Sequence, residues 1–294
     1  VTGRDPLGRE ESALSARRAI YRSDAGRLLV EGFYRRVLEE APGLRRRFVL
    51  SREGRTHLIE TGPAGGEVVL LLHGSVANSA TWLGDIPVWA SAFRVVAADI
   101  PGHPGLSEGP PLSLSGSEMA DWLHGLLDEL GATTVRMVGL SLGGWAALDF
   151  AVRHPDRVRG LSLLAPSGLA PVRGSFGLKA LPLSLLGKWG SDRTQRMVFG
   201  GREVPLPVLE FGRLVARHYR PPLERPRVFT HEELGRLHMP VQFFAGTGDV
   251  LIRAEASARR LARVVPHAEV HLLDGEGHAI LGRAEQILSF LEGC

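Results

Sequence analysis

Ser141 stands in the run VRMVGLSLGGWAALDF, boxed in by Gly139, Gly143 and Gly144. The residues before it are a continuous apolar run and those after it repeat with helical spacing, so the chain must reverse sharply at the serine. Side chains at Gly139 or Gly143 would collide in so tight a turn. G-x-S-x-G between a strand and a helix is a nucleophile elbow, which presents its hydroxyl at the carboxyl ends of the strands, where open α/β sheets bind ligands. The chemistry implied is acyl transfer. A serine hydroxyl at its ordinary pKa is a weak nucleophile and needs a base, which in turn needs an orienting acid.

Both partners follow downstream in order. Asp249 comes after VQFFAGTG and His278 after EVHLLDGEG, each at the carboxyl end of an expected strand. Asp274 and Glu276 lie too close in sequence to His278 to face its ring, and Ala165-Pro166-Ser167 offers no carboxylate. The Leu142 N–H, first of the helix after the elbow, is placed to stabilise an oxyanion. The second amide is assigned to Ser75 in His73-Gly74-Ser75, with Gly74 as the neighbouring possibility, and His73 reads as a structural histidine that holds this loop. GTGD at 246–249 lacks the third glycine of a dinucleotide loop, and no phosphate-loop lysine motif occurs. His103, His124, His154 and His231 lack metal-cluster spacing and are expected in surface or capping roles, so no metal site is expected.

These side chains need a scaffold that brings distant strand ends together. Residues 11–40 space Leu14, Ile20, Leu28, Phe33, Val37 and Leu38 in helical fashion and stop before Pro42, giving an N-terminal helical arm over 1–44. This arm is expected to pack on its own core or on a second subunit. The runs RRRFVLS and THLIET, then VVLLLHG, RVVAADIPG, VRMVGLS, VRGLSLLAPSG, VQFFAGTGD and EVHLLDGEGH, read as strands with helical patterns between them. Continuous Val, Leu and Ile strands alternating with helices predict an α/β fold, a mostly parallel sheet covered on both faces over 45–166 and 236–294. Residues 167–235, rich in Gly, Pro and Leu, are too many for a loop and predict a helical insertion over one end of the sheet. Leu181, Leu183, Leu185, Leu186 and Trp189 in it are expected to line an apolar pocket or to pack the insertion on the core.

The 294 residues are 44% apolar and 23% charged, the balance of a globular protein with a substantial core. The net charge of +3 comes from scattered arginines, densest at Arg45, Arg46 and Arg47, with no aromatic-interleaved basic tract, which argues against a nucleic-acid partner. No run approaches the roughly 20 apolar residues of a membrane helix, and VTGRDPLGREE has no signal-like apolar core; a cytoplasmic location with no membrane partner is expected. Cys294 is the one cysteine, which excludes an intrachain disulfide, and it is expected to be a frayed, exposed thiol.

With HGSVANSATW, DIPGHPGLS, GLSLGGW, GTGDVLI and GEGHAI in one order, residues 45–294 resemble the α/β-hydrolase superfamily. Within it, the N-terminal arm, the HG loop followed by small residues and Trp82, the GLSLGG elbow and FTHEEL are most similar to bacterial carboxylesterases of the naproxen-esterase type. The resemblance implies eight strands with the second antiparallel, a helical cap after the sixth strand, and no cofactor. It carries a triad onto Ser141, Asp249 and His278 and oxyanion amides onto Ser75 and Leu142. His103-Pro104 departs from the more polar residues usual at that position, which weakens any substrate contact from that loop. The expected activity is hydrolysis of a small or medium hydrophobic carboxylic ester through an acyl-enzyme, by a monomer or homodimer. C–C bond hydrolysis, lactone or amide hydrolysis, perhydrolysis, and non-catalytic binding of a small ligand are the rivals on the same fold. Dehalogenases and epoxide hydrolases of this fold use an aspartate at the elbow, where this chain has Ser141.

Overall fold

The computed structural model describes residues 19–51 and 54–294. Helix α1 (Asp24–Glu39) is capped by Ser23, whose Oγ accepts from the Gly26 N–H at 3.0 Å. The expected continuous helix over 11–40 is corrected: the chain turns at Ile20, pairs Tyr21 with Tyr219 in an isolated β-bridge and starts α1 anew at the Ser23 cap, so Ile20 lies ahead of α1; Leu14 lies outside the described residues. Next come β1 (Arg45–Ser51), β2 (Gly54–Thr61), β3 (Val68–Leu72), α2 (Ile86–Trp89), β4 (Arg94–Ala98), α3 (Glu118–Glu129) and β5 (Val135–Leu140). They are followed by α4 (Leu142–Arg153), β6 (Val158–Leu164), α5 (Ser175–Ser184), α6 (Gly187–Val198), α7 (Leu206–His218) and α8 (His231–Leu234). The remaining elements are β7 (Val241–Gly246), α9 (Ala254–Val264), β8 (Glu269–Leu273) and α10 (Ala284–Glu292).

The strands form one eight-stranded sheet in the order β1-β2-β4-β3-β5-β6-β7-β8. β2 pairs antiparallel with both β1 and β4, and the pairings from β3 and β4 through to β8 are all parallel. This is the α/β-hydrolase topology that the motif order implies. Every residue of β3 and of β7 is buried, the consequence of helices on both faces and the reason these strands read as unbroken apolar runs. Trp82, Trp89, Trp122, Trp145, Phe243 and Phe244 are buried in the core, and at about 25 cal/mol per Å² each such side chain contributes on the order of a few kcal/mol by its burial.

Charge serves the sheet as well. Arg45, Arg47 and Arg94 converge on the buried Glu60 carboxylate at 3.1, 3.0 and 2.6 Å, joining β1, β2 and β4. Two members of the arginine knot are therefore committed within the fold. The arm packs on its own chain: Ile20, Tyr21 and Val30 form a small apolar cluster with Val215 and Tyr219 at the end of α7. The Tyr219 hydroxyl in turn donates to the Gly102 carbonyl at 2.7 Å. No helix among the described residues is long and apolar enough to cross a membrane.

Two side-chain expectations are corrected. Leu181, Leu185, Leu186 and Trp189 are 54–84% exposed and neither line a buried pocket nor pack on the core. The buried contact between α5 and α6 is made at Gly190, within α6, where a Cβ would lie 1.8 Å from the Leu183 carbonyl oxygen, and not by these exposed side chains. Cys294 is half-buried rather than frayed, because Arg136 donates to its carbonyl at 2.6 Å and to that of Leu291 at 2.8 Å. A terminus tied by such bonds does not fray.

Candidate active site

Ser141 joins β5 to α4 with φ 54° and ψ −108°, a left-handed conformation that a residue with a side chain adopts only when its surroundings enforce it. The enforcement is visible. The Ser141 N–H donates to the Leu164 carbonyl at 2.9 Å, and its own carbonyl accepts from Trp145 and Ser167 at 3.0 and 3.1 Å. A Cβ on Gly139 would lie 2.5 Å from the Gly143 carbonyl oxygen, and one on Gly143 would lie 2.0 Å from that of Leu72. A Cβ on Gly144 would lie 2.9 Å from Pro166. All three glycines are steric requirements of the turn.

The acid and the imidazole meet at the ends of β7 and β8. Asp249 Oδ2 accepts from His278 Nδ1 at 2.7 Å, while Oδ1 accepts from the Leu251 and Ile252 N–H groups at 2.7 and 3.0 Å. Both side chains are buried. With Nδ1–H given to the carboxylate, Nε2 keeps its lone pair and can act as a base. Asp274 accepts from the Thr247 hydroxyl, and Glu276 is held by Arg202 and Arg283, so neither competes for the ring. Among the described residues no hydrogen bond joins Ser141 Oγ to the imidazole; contacts of this kind tighten around a bound substrate.

The loop after β3 lies against the serine. A Cβ placed on Gly74 would be 3.5 Å from the Ser141 Cβ, and Ser75 follows it in the exposed part of the loop. The Leu142 N–H is the first of α4 and has no intrahelical acceptor. His73 is buried, its Nε2 accepting from the Ile100 N–H at 2.9 Å, so its Nδ1–H donates to the Gly74 carbonyl at 2.8 Å. Burial lowers its pKa, and the neutral ring serves as a brace between β3 and β4. His103 is corrected from the surface to the interior. It is buried, its Nδ1 accepts from the Val76 N–H at 3.3 Å, and burial followed by the nearby His73 lowers its pKa to about 3. The turn at Val76, with φ 61°, is thereby held from below.

A buried node that the motif reading passes over lies beneath that loop. Asp99, at the end of β4, accepts from Tyr34 of α1 at 3.0 Å, the Ser79 N–H at 2.9 Å, His57 at 2.9 Å and the Leu106 N–H at 2.8 Å. Burial alone would raise its pKa, but His57 and these donors hold it well below the usual carboxylate range. The available signal was its position: Asp99 is a carboxylate at a strand end in RVVAADIPG, like Asp249 after β7. Its partners come from four separate stretches, which a search for local spacing does not reveal. A cavity of about 440 Å³ between Pro240, Gln242, Glu269, Phe290 and Cys294 lies at the opposite ends of the strands from Ser141. No cluster of three or more potential metal ligands occurs among the described residues.

A strained serine elbow, a carboxylate and imidazole paired on later strand ends, and this sheet order are the arrangement of one fold family. The model of the alpha/beta hydrolase family matches residues 69–289, and the chain belongs to that family. It is 30% identical over 242 residues to an uncharacterized carboxylesterase, nap, of Bacillus subtilis (strain 168), with 79% of this chain and 80% of that one covered. Its fold is similar to the solved carboxylesterase CesB (YbfK) from Bacillus subtilis, with TM-score 0.82, 26% identity and coverage of 92% and 99% of the two chains. Naproxen esterase (carboxylesterase NP) from Bacillus subtilis superposes with TM-score 0.78 and 29% identity over 89% of this chain and 94% of that one.

Proposed function

We propose that the protein is a serine carboxylesterase acting on small or medium hydrophobic esters, with Ser141 as nucleophile, His278 as base and Asp249 as orienting acid. The observation that carries this reading is the 2.7 Å bond from His278 Nδ1 to Asp249, which leaves Nε2 as the proton acceptor. His278 takes the proton of Ser141 Oγ as the oxygen attacks the ester carbonyl carbon, and the negative oxygen rests on the Ser75 and Leu142 N–H groups. The carbon–oxygen bond to the alcohol breaks as His278 returns the proton to the leaving oxygen. Water then gives a proton to His278 and attacks the acyl carbon, Ser141 Oγ regains the proton, and the carboxylic acid departs. These steps need no cofactor.

In this reading residues 167–235 are a helical cap over the site, and the protein works in the cytoplasm. The likeness to a naproxen esterase supports an apolar acyl part for the ester. The test is hydrolysis of p-nitrophenyl butyrate together with fluorophosphonate labelling, run beside lactones, amides and substrates cleaved at a C–C bond. Ser141→Ala loses labelling and on the order of 10⁴- to 10⁶-fold in kcat. A Ser141→Ala variant that keeps the activity within tenfold overturns the mechanism, and a labelled wild type that turns over nothing in the panel points to a ligand receptor instead.

A further inference from the structure

The carboxyl end of α6 is fastened to the loop that carries His278. The carbonyl of Val198, the last residue of α6, accepts from the main-chain N–H groups of both His278 and Ala279, at 2.8 and 3.2 Å. Final carbonyls of a helix lack intrahelical donors and ordinarily turn to solvent or to a capping residue. Here the donors come from the imidazole-bearing turn. Two glycines permit the approach: Gly200 has φ +65°, and a Cβ on Gly277 would lie 2.3 Å from the Gly200 nitrogen and 2.6 Å from the Val198 oxygen.

An ion pair closes over the same contact. Arg202, four residues beyond α6, reaches Glu276 Oε1 at 2.8 Å, and Arg283 reaches the same oxygen at 2.6 Å. Glu276 is buried, and its Oε2 has no donor among the described residues, so these guanidiniums hold the carboxylate. The Glu276 carbonyl meanwhile accepts from the Gly248 N–H at 2.9 Å, beside Asp249. One residue thus touches the inserted helices through its side chain and the turn of the acid through its main chain.

We propose that Arg202, through Glu276 and the contact of Gly200 with Gly277, is a positioning residue that lets the inserted helices set the place of the His278 imidazole. This rests on the esterase reading above. The sheet alone locates Asp249 and the start of the His278 turn; the latch fixes the turn's outer edge, where the ring is attached. Release of the cap from Glu276 lets Nε2 drift from the line of proton transfer while leaving ester binding in place.

The experiment measures p-nitrophenyl butyrate kinetics per active site titrated with fluorophosphonate, for wild type, Arg202→Met, Arg202→Lys, Gly277→Ala and the Arg202→Met/Gly277→Ala pair. Arg202→Met is expected to lower kcat per titrated site about 10-fold with KM within about twofold, since small displacements of a catalytic group cost one to two decades. Arg202→Lys restores most of the rate, and Arg193→Met, at an exposed arginine of α6, leaves it unchanged. The two latch lesions act through one contact, so the double variant loses clearly less than the product of the single losses. Unchanged kcat per titrated site in Arg202→Met, or losses that multiply in the pair, overturns the latch while leaving the esterase reading intact. A wild type that is neither labelled nor active fails the esterase reading itself and takes the latch with it. If Gly277→Ala does not fold, the Met and Lys variants of Arg202 decide the question.

Discussion

Replacement of Asp249 by asparagine tests how the carboxylate acts on His278. Its Oδ1 accepts two main-chain N–H groups, from Leu251 and Ile252, and its Oδ2 accepts one from the ring. An asparagine that keeps its oxygen on the main-chain donors presents NH₂ to Nδ1, which must then accept, so the proton moves to Nε2 and the base is lost. The opposite orientation preserves the base but sets NH₂ against two N–H donors and gives up both bonds. At about 1 to 1.5 kcal/mol each, the productive orientation is disfavoured by roughly 2 to 3 kcal/mol and populated in only a few per cent of molecules or fewer. A neutral amide also supports the developing imidazolium less well, which costs about a further tenfold. The expected loss in kcat is on the order of 10³-fold, with a circular dichroism spectrum and melting temperature close to those of the parent. Stopped-flow release of p-nitrophenol from the butyrate ester measures it. A loss below about tenfold would show that Asp249 does not set the tautomer.

Two further outcomes concern stability and the exposed leucines. Burial raises the Asp85 pKa to about 6, so the folded state binds this proton more tightly than the unfolded one, and stability falls as pH rises from about 4 to about 6. Asp85→Asn is expected to melt with the parent at pH 4 and above it at pH 7; equal melting at both refutes the penalty. Leu185 is 84% exposed, so Leu185→Ser should change unfolding free energy in urea by no more than about 0.5 kcal/mol and leave kcat/KM within about twofold. A clear loss of kcat/KM would return Leu185 to the path of the substrate.

The elbow was legible because its demands are local: each glycine around Ser141 answers to a neighbour on the same turn or the adjoining strand end. Asp249 and His278 were legible by position, since parallel strands bring their carboxyl ends to one rim. The side-chain role of Leu185 was not, because an apolar residue four positions from another marks a shared face without saying which way that face is turned. His103 went astray for a related reason. Its ring answers to Val76 and His73, from a different strand end, and nothing in its own surroundings announces burial. The Asp99 node and the Arg202 contact with Glu276 join stretches far apart in sequence, where spacing carries no information.

The uncharged rings beneath the Ser75 loop bear on how the protein answers to its medium. His73 and His103 are both buried, and burial holds both below the usual histidine value, His103 down to about 3, so the His103 ring carries no charge in neutral buffer. In the esterase reading, negative charge that develops on the loop above them meets oriented ring dipoles and no added positive charge. In that reading the oxyanion is held by main-chain N–H groups alone, on a loop braced from below by these rings and by the Asp99 carboxylate.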